Sequence, residues 1–416
     1  MEVKLGYKQT EVGVIPGDWG VQPLDQLISS LEAGVSVNSV DKEKDVYPHE
    51  ESILKTSCVF GGKFLPQEHK IILPRDLHRA KLNPCKDSIV ISRMNTPALV
   101  GECGYVDQDY PNLFLPDRLW MTRHQGRTDL SVRWLAYVLS SNGFGRFIKE
   151  SATGTSGSMK NISKGSFLAV QVPMPTKIEQ DAIAETLSDA DALIESLEQL
   201  VAKKREIKQG AMQELLIGKK RLPGFEVIPG YKQTDVGVIP EDWEVKPLGA
   251  LATLYQPITI SAKQFTEAGF PVYGANGVVG FYSKSNHDTW QVIVTCRGST
   301  CGTVNRTVDR CWITGNAMVL NCEQNKSLCK EFFYHLLNSQ DLSDCITGTG
   351  QPQIVRSPLA VFCVPLPPTK AEQQAIAAIL SDMDSEIAAL EANLAKARCI
   401  KQGMMQELLT GRIRLV

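Results

Sequence analysis

Residues 6–24 read GYKQTEVGVIPGDWGVQPL, and residues 230–248 read GYKQTDVGVIPEDWEVKPL. Fifteen of these nineteen positions are identical at a constant offset of 224. A second pair of segments, residues 176–222 and 369–415, is identical at 29 of 47 positions at an offset of 193. The order short repeat, insert, long repeat therefore occurs twice along the chain. This order predicts an internal pseudo-two-fold tandem repeat.

The two inserts, residues 26–171 and 250–363, show no comparable similarity and differ in length, 146 against 114 residues. A chain of 416 residues is also too long for one ordinary hydrophobic core. We therefore predict two globular domains on a duplicated frame. The predicted segments are a domain over 1–175, a long helix over 176–222, a domain over 223–368 and a second long helix over 369–416.

The long repeats carry the signals of helices. Thr176 and Glu179, like Thr369 and Glu372, have the spacing of a capping box after a proline-rich stop. Apolar residues then recur every three to four positions, at Ile183, Leu187, Ala190, Ile194, Leu197 and Val201 in the first copy and at Ile376, Leu380, Met383, Ile387, Leu390 and Leu394 in the second. At ~1.5 Å per residue each helix is on the order of 60 Å long. The economical partner for each apolar seam is the other copy, arranged antiparallel.

Two details refine this prediction. The apolar seam is interrupted at Lys208 and Lys401, and we expect it to drift to Ile207 and Ile400, as in a nearly straight helix. Gly210 and Gly403 lie inside the helices, where glycine costs about 0.5–1 kcal/mol relative to alanine. We expect another backbone, from the sister helix or from a partner protein, to approach them closely. An ordinary coiled-coil dimerisation hairpin is the simpler alternative for the long repeats.

The inserts have the pattern of mixed α/β (α+β) domains. SIVISR (88–93) and QVIVTCR (291–297) are short, β-branched segments typical of strands, and Asn276-Gly277 predicts a hairpin turn. Helices are predicted near 129–141 and 328–339. The complete fold prediction is two globular α/β domains separated by two long, antiparallel, coiled-coil-like helices.

Composition excludes several classes of protein. The formal net charge is −2 and the pI is near 6.3, so charge alone gives little support to nucleic-acid binding. No stretch approaches the ~20 apolar residues that span a membrane, and the N-terminus has no signal-peptide pattern, so we expect a cytoplasmic protein without a membrane segment. The eleven cysteines include no CxxC pair, and the cluster Cys296, Cys301, Cys311, Cys322 and Cys329, with His287 upstream, has no zinc-module spacing. We expect reduced structural thiols and no metal site.

Catalytic motifs are also missing from the sequence. There is no phosphate-binding loop, no strand-following GxGxxG and no Asx-Pro-Pro-aromatic tetrapeptide of amino-methyltransferases. Glu68 and Lys70 resemble a metal-dependent nuclease pair, but a solvated loop explains them more simply. Trp19 and Trp243, inside the short repeats, are expected to be core anchors. We therefore predict a protein without catalytic residues and without a cofactor of its own.

The remaining candidates are recognition residues. Arg93 and Arg297 both follow a strand, and an arginine guanidinium matches guanine O6 and N7 or a phosphate. Asparagine and glutamine amides match adenine edges, and lysine suits phosphate. The candidate DNA-binding residues are Arg93, Asn95, Thr96, Lys63, Lys160, Asn161, Asn276, Arg297, Ser299, Thr300, Gln351 and Arg356. For each residue taken singly, an exposed or locally hydrogen-bonded loop side chain is the simpler interpretation.

The whole chain resembles the specificity subunits of type I restriction–modification enzymes. The resemblance rests on the short repeats, on the helix starts IEQDAI (178–183) and AEQQAI (371–376), and on the helix endings KQGAMQELL (208–216) and KQGMMQELL (401–409). RGSTCG (297–302) and ISRMNTPALVG (91–101) also resemble target-recognition domains of that family. The order of these elements carries more weight than any single motif.

The resemblance implies a function. In that family each of two target-recognition domains reads one half of a bipartite, asymmetric site in double-stranded DNA, and two long helices fix the spacing between the halves. Two modification subunits bind the frame and supply S-adenosylmethionine and adenine methylation. Restriction subunits add ATP- and Mg-dependent translocation and cleavage in systems that restrict. This chain would then be the non-catalytic, DNA-binding subunit of a methyltransferase or restriction complex.

Two other functions remain open on sequence grounds. One is a coiled-coil scaffold whose two inserts bind proteins and that has no DNA specificity. The other is an autonomous nuclease or methyltransferase, which the missing motifs disfavour. The sequence leaves undetermined the recognised bases, the spacer length, the half-site read by each insert, the choice between restriction and methylation alone, and the oligomeric state without partners.

Overall fold

The computed structural model describes residues 5–41, 51–153, 159–225, 228–274, 276–348 and 352–415, which form two compact units. Unit 1 comprises Met1–Ser196 with Leu394–Val416, and unit 2 comprises Leu197–Asn393. Each unit therefore combines one insert with parts of both long helices. The four sequence segments proposed above cut the chain at different points and stay a prediction.

Unit 1 begins with the first short repeat and contains the longer insert. Its strands are β1 (Tyr7–Thr10), β2 (Gly13–Pro16), β3 (Gly20–Pro23), β4 (Ser30–Ala33), β5 (Ser39–Val40), β6 (Ser52–Leu54), β7 (Val59–Phe60), β8 (Lys63–Phe64), β9 (His69–Ile72), β10 (Ser88–Ser92), β11 (Met94–Asn95), β12 (Cys103–Val106), β13 (Leu113–Phe114), β14 (Leu119–Arg123), β15 (Lys160–Asn161) and β16 (Gln171–Met174). Its helices are α1 (Leu24–Leu27), α2 (Val132–Ser140), α3 (Asn142–Ser151), α4 (Lys164–Leu168) and the first part of α5 (Lys177–Leu215). Thr56–Cys58 and Pro74–Arg79 are 3₁₀ helices.

Unit 2 repeats this order with a shorter insert. Its strands are β17 (Tyr231–Thr234), β18 (Gly237–Pro240), β19 (Glu244–Pro247), β20 (Thr253–Tyr255), β21 (Phe270–Gly274), β22 (Gly277–Tyr282), β23 (Val292–Thr295), β24 (Val304–Arg306), β25 (Trp312–Ile313), β26 (Ala317–Asn321), β27 (Ile346–Thr347), β28 (Gln353–Ile354) and β29 (Cys363–Leu366). Its helices are α6 (Leu248–Leu251), α7 (Lys330–Asn338), α8 (Arg356–Val361) and the first part of α9 (Lys370–Leu408). Ala262–Gln264 and Ser343–Cys345 are 3₁₀ helices.

The two inserts are built around similar central sheets. The strand order is β4-β14-β10-β12-β8-β7 in unit 1 and β20-β26-β23-β24 in unit 2. The central strands β10 and β23 are buried along their whole length, as expected for continuous β-branched runs between two packed layers. Helix α2 packs on β12, and α7 packs on β24. The predicted strands and helices are confirmed, with slightly narrower bounds.

The inserts differ in their outer sheets. Unit 1 adds a four-stranded sheet in the order β13-β6-β9-β5, whereas unit 2 adds a three-stranded sheet in the order β22-β21-β25. The hairpin predicted at Asn276-Gly277 joins β21 to β22, and Gly277 has a φ of +103°, which favours glycine. Similar central sheets thus carry unlike additions, which accounts for the missing sequence similarity between the inserts.

Eight of the twelve residues of the predicted apolar seam are buried, and Ala190, Leu197, Met383 and Leu390 are half-buried. Ile183 and Leu187 are buried in unit 1, and Ile376 and Leu380 are buried in unit 2. The drift to Ile207 and Ile400 is wrong, because these side chains are 47% and 51% exposed. Within each unit a lysine occupies the helix contact instead and pairs with an aspartate of the antiparallel helix, Lys208 with Asp384 and Lys401 with Asp191.

The expected close approach of the sister helix to Gly210 and Gly403 is also wrong. A Cβ atom added at either glycine would find no atom of the described residues within 4 Å. These glycines lie on open helix surface. Their presence in both copies has no explanation in the packing of the described residues.

Each short repeat packs against the end of a long helix. In unit 1, Tyr7 donates a hydrogen bond to the Gly411 carbonyl at 3.0 Å, and a Cβ atom added at Gly411 would lie 3.0 Å from the Trp19 ring. In unit 2, a Cβ atom added at Gly218 would lie 3.1 Å from the Trp243 ring. Trp19 and Trp243 are 1% and 0% exposed, which confirms them as core anchors. The repeated peptide thus docks the helix ends.

The helix starts use only half of the predicted capping box. The Glu372 amide donates to the Thr369 hydroxyl at 3.2 Å, and the Glu179 amide lies 3.4 Å from the Thr176 hydroxyl. The glutamate side chains do not return to the cap. Glu179 accepts from Trp19 Nε1 at 3.0 Å, because the short repeat brings a buried donor to it.

Candidate nucleic-acid interface

In unit 1, four predicted residues meet where the central strand β10 ends. Strand β11 pairs with β15 so that Met94 lies opposite Asn161 and Asn95 lies opposite Lys160. The Ile162 amide donates to the Arg93 carbonyl at 2.9 Å, which continues this pairing. Arg93, Asn95, Lys160 and Asn161 therefore belong to one small ribbon, although β15 begins 65 positions after the last residue of β11.

Arg93 is held against the core of unit 1. Its guanidinium carbon lies 5.8 Å from the centre of the Trp120 ring, which is buried. Its Nε atom is buried and has no hydrogen-bond partner among the described residues. A cation stacked on an aromatic face is stabilised by the ring quadrupole. The structure thus places Arg93 beside the ribbon with only part of its guanidinium accessible.

The amide of Asn95 is occupied locally. Its Nδ2 donates to the Ser92 hydroxyl at 3.2 Å, and its Oδ1 accepts from the Thr96 amide at 2.8 Å. Thr96 is exposed, and its carbonyl accepts from the amides of Leu99 and Val100. Asn95 and Thr96 therefore shape the turn that leaves the ribbon.

Lys63 lies elsewhere in unit 1. It is on β8, next to Tyr105 of β12 and opposite Phe60 of β7. This position is on the other side of β12 from β10, near the edge of the central sheet. The sheet order does not bring Lys63 into the ribbon.

In unit 2, the loop after β23 carries three predicted residues. Arg297 and Ser299 are exposed, and Thr300 is half-buried. The Cys301 amide donates to the Gly298 carbonyl at 3.0 Å, and Gly298 has a φ of +88°. Arg297 itself forms an isolated antiparallel bridge with Gln353. The same kind of ribbon therefore exists in unit 2.

The remaining candidates of unit 2 are dispersed. Arg356 is exposed at the first residue of α8, two positions after the ribbon strand β28. Asn276 is exposed in the hairpin between β21 and β22, which belongs to a different sheet from β23. Gln351 lies outside the described residues.

The hydrogen-bond register changes one pairing that the sequence indicates. The Arg93 amide donates to the Arg118 carbonyl, and the Arg93 carbonyl accepts from Ile162. In unit 2 the residue with the equivalent two backbone hydrogen bonds is Cys296. Its amide donates to the Asn316 carbonyl, and its carbonyl accepts from the Ile354 amide. Arg93 therefore matches Cys296, and Arg297 matches the next residue of unit 1, Met94. The two arginines follow similar strands but occupy different positions.

This difference has chemical consequences. Cys296 is fully buried, and burial raises the pKa of its thiol, so it is an uncharged part of the core. Arg93 fills the corresponding place in unit 1 by stacking its guanidinium on Trp120. Arg297 and Met94 lie one position further along the chain, where the backbone alternation directs the side chain to the other face.

Sequence reasoning missed Gln353 and Thr347. They lie opposite each other in β27 and β28, and both are exposed. The sequence places Gln353 directly before the buried Ile354, so a period-two reading of QPQIV would have separated an outward amide from an inward isoleucine.

The described residues provide no evident site for a metal ion. In the parts of the chain that the structure describes, no three His, Cys, Asp or Glu side chains are grouped so that they could bind one. The cysteines that crowd the second insert are free thiols, and Cys311, Cys322 and Cys329 are buried.

Comparison with known proteins agrees with this architecture. Residues 240–397 match the sequence model of a family described as "Type I restriction modification DNA specificity domain". The chain is 24% identical over 432 residues to the putative type I restriction enzyme MjaX specificity subunit of Methanocaldococcus jannaschii, covering 98% of this chain and 97% of that protein. The chain belongs to the type I specificity subunits.

Two further similarities complete the comparison. The MjaVIII specificity subunit of the same organism is 26% identical over 295 residues, which cover 65% of this specificity subunit and 68% of that protein. The crystal structure of a type I restriction–modification S subunit from M. genitalium superposes with a TM-score of 0.66 at 20% identity, covering 98% and 99% of the two chains. This structural likeness concerns the fold. Among the described helices of this subunit, none is long and apolar enough to cross a membrane.

Proposed function

We propose that each unit of this specificity subunit reads one half of a bipartite, asymmetric site in double-stranded DNA. The observation that carries the proposal is the pair of equivalent ribbons at the ends of β10 and β23, each with different side chains at matching positions. Two-stranded ribbons fit the major groove, where each base pair has a distinct pattern of donors and acceptors. Different side chains on equivalent ribbons would select different half-sites.

The long helices would fix the spacing between the half-sites. Helices α5 and α9 have 39 residues each, and each contributes to both units. Within unit 2 they are tied by the pair Lys208–Asp384, and within unit 1 by Lys401–Asp191 at 2.6 Å. A rigid helix pair of this kind can set a fixed number of unread base pairs.

Methylation and cleavage would be carried out by other subunits. We expect two modification subunits to bind this chain and to supply S-adenosylmethionine and adenine methylation. Translocase subunits, with ATP and Mg, would join in a system that restricts. Open helix surface around Gly210 and Gly403 supports a docking role for the frame.

Co-expression with the cognate modification subunit, followed by modified-base sequencing of the host genome, tests the proposal. We expect one bipartite, asymmetric methylated motif. A protein scaffold without DNA specificity would leave the genome unmethylated and would not be retained on DNA even with the modification subunit present.

A second experiment tests the spacing role. We predict that one added heptad in both α5 and α9 lengthens the unread spacer by about three base pairs, because seven residues add ~10.5 Å and one base pair rises ~3.4 Å. A heptad leaves the helix faces within ~20° of their original register. The matched control adds the heptad to only one helix, which should disrupt the pairing and reduce methylation. An unchanged spacer in the double insertion would refute the spacing role.

A further inference from the structure

The ribbon of unit 1 is part of a small three-stranded arrangement in which β15 is the middle strand. Asn161 lies opposite Met94 on one side and forms an antiparallel bridge with Thr153 on the other. The amides and carbonyls of Thr153 and Asn161 exchange two hydrogen bonds of 2.9 Å. Residues directly opposite each other in antiparallel strands place their side chains on the same face. Thr153, Asn161 and Met94 therefore share one face.

Unit 2 contains the same arrangement with different side chains. Gln353 lies opposite Thr347 of β27 and forms the bridge with Arg297. Three pairs of residues therefore occupy equivalent positions in the two arrangements: Thr153 and Thr347, Asn161 and Gln353, and Met94 and Arg297.

Burial shows which face is accessible. Ile162 and Ile354, the residues after the two amides, are each 1% exposed and belong to the cores of their units. Because successive side chains of a strand point to opposite faces, Asn161 and Gln353 lie on the outer face. Gln353, Thr347 and Thr153 are exposed in the described residues.

The side chains on this face suit base recognition. An asparagine or glutamine amide offers one donor and one acceptor, which match N6 and N7 of adenine. Asn161 is half-buried, and its Oδ1, which is itself buried, has no hydrogen-bond partner among the described residues. Turning the amide toward the outer face would therefore break no local hydrogen bond of this oxygen and would let it accept one from a base. By contrast, both amide atoms of Asn95 already have local partners.

We propose that Asn161 in unit 1 and Gln353 in unit 2 are the matched base-reading amides of the two half-sites, and that Met94 and Arg297 contact the neighbouring base of each. The inference rests on the proposed function and assigns its specificity to particular positions. Arg297 would select guanine through O6 and N7, whereas Met94 offers only an apolar contact. The two half-sites would then each contain an adenine position read by an amide, next to a position where their preferences differ.

Purified complex with the cognate modification subunits tests the assignment. Methylation is measured on a panel of duplexes, each carrying one base substitution in the cognate site. Gln353→Ala should lower the discrimination at one position of one half-site by about tenfold, and Asn161→Ala should do the same in the other half-site. The matched control is Gln233→Ala, which removes an exposed amide of the short repeat that donates only to the neighbouring Thr234 carbonyl in the described structure. It should leave every ratio unchanged.

Two further variants guard against trivial loss of activity. Gln353→Glu keeps the shape of the side chain and removes the amide donor, so it should lose discrimination at the same position as Gln353→Ala. Arg297→Met should weaken the preference for guanine at the adjacent position. Unchanged discrimination in Gln353→Glu and Asn161→Ala, or effects of both in the same half-site, would overturn the assignment while the bipartite site of the wild-type complex stands. A wild-type complex that methylates no bipartite site would instead overturn the proposed function.

Discussion

Units 1 and 2 lock the end of a long helix onto the short repeat with the same ion cluster, but they bury it to different depths. In unit 2 the side chain of Arg221 is 8% exposed and contacts Asp242 and Glu372, which are 5% and 1% exposed. In unit 1 the side chain of Arg414 is 32% exposed. Its partners are Asp18, which is 60% exposed, and Glu179, which is 1% exposed.

This difference shows that a repeated sequence need not give equal energies. In unit 2 the Arg221 guanidinium also donates to the Phe225 carbonyl, so the chain after the helix wraps around the charge. Burial raises the pKa of Glu372, against the opposing effect of Arg221. In unit 1 the hydrogen bonds from Arg414 lower the pKa of the exposed Asp18. Breaking the ion cluster of unit 2 should therefore lower the unfolding free energy more than breaking that of unit 1.

The largest expected effect comes from removing the buried arginine. Arg221→Ala should cost about 3–5 kcal/mol of unfolding free energy, because Glu372 would remain buried without its partner. Arg414→Ala should cost less, about 1–3 kcal/mol, because water reaches Asp18 and Trp19 still donates to Glu179. Urea unfolding of the full chain, with hydrogen exchange to assign the loss to a unit, measures both.

A surface pair provides the control for the arginine variants. Arg205 is 64% exposed and lies 2.5 Å from Glu391, so Arg205→Ala should cost less than about 1 kcal/mol. Equal losses in Arg221→Ala and Arg414→Ala would show that the depth of burial does not set the energy of these clusters.

The next effect tests a feature in which the units are alike. Gly218 and Gly411 have φ values of +71° and +67°, and an added Cβ atom would lie 2.5 Å from Pro240 or Pro16. Gly218→Ala and Gly411→Ala should therefore each cost about 2–3 kcal/mol, through left-handed backbone strain and overpacking. Equal shifts of the unfolding midpoint are expected, since the neighbouring residues are the same.

Two other glycines, inside helices α5 and α9, provide a control in which the expected change in stability has the opposite sign. Gly210 and Gly403 lie within helices with open space around them, so Gly210→Ala and Gly403→Ala should each stabilise the chain by about 0.5–1 kcal/mol. Destabilisation by these variants would reveal a close contact that the described residues do not contain.

The repeated frame was predictable from sequence because its signals are local or periodic. Identical peptides, capping threonines and an apolar seam need no knowledge of the partner element. The predicted continuation of the apolar seam was wrong where an ion pair takes its place. Lys208 pairs with Asp384 of the other helix, and the periodicity of one helix does not indicate such a pair. In the same way the side chain of Glu179 does not complete the predicted capping box, because it accepts a hydrogen bond from the buried Trp19 Nε1 instead.

The candidate interface was only partly predictable. The sequence indicates that candidate DNA-binding residues come directly after β10 and β23. It aligns Arg93 with Arg297, however, because both follow a strand. Backbone hydrogen bonds to Ile162 and Ile354 set the register one residue differently. Gln353 was missed for a related reason, since its role depends on β28 pairing with residues about 56 positions earlier (353 minus 297).

The two inserts also contact the long helices through different side chains at one matching position. In unit 1 the Tyr137 hydroxyl of α2 donates to Asp191 at 2.9 Å. In unit 2 the corresponding residue of α7 is His335, which is 2% exposed and lies 3.9 Å from Asp384. Burial lowers the pKa of His335 to about 4, against the attraction of Asp384, whereas the Tyr137 pKa is raised above its usual range by burial.

A pH dependence confined to unit 2 is expected to be smaller than the effects of the Arg221 and Gly218 variants. An unfolded histidine has a pKa near ~6.5, so the folded chain resists protonation of His335 and loses stability as the pH falls from about 6.5 to about 4. We expect a loss of about 1–2 kcal/mol rather than the full equivalent of the shift, because the partly exposed Asp384 can turn toward a charged imidazole. Above pH 7 the contribution is constant. Urea unfolding of wild type and His335→Gln across this range measures it, since the titration of all other groups cancels in the difference. Tyr137→Phe is the control in unit 1 and should shift stability equally at every pH between 4 and 7. A wild-type curve parallel to that of His335→Gln would mean that His335 is protonated as readily in the folded chain as in the unfolded one.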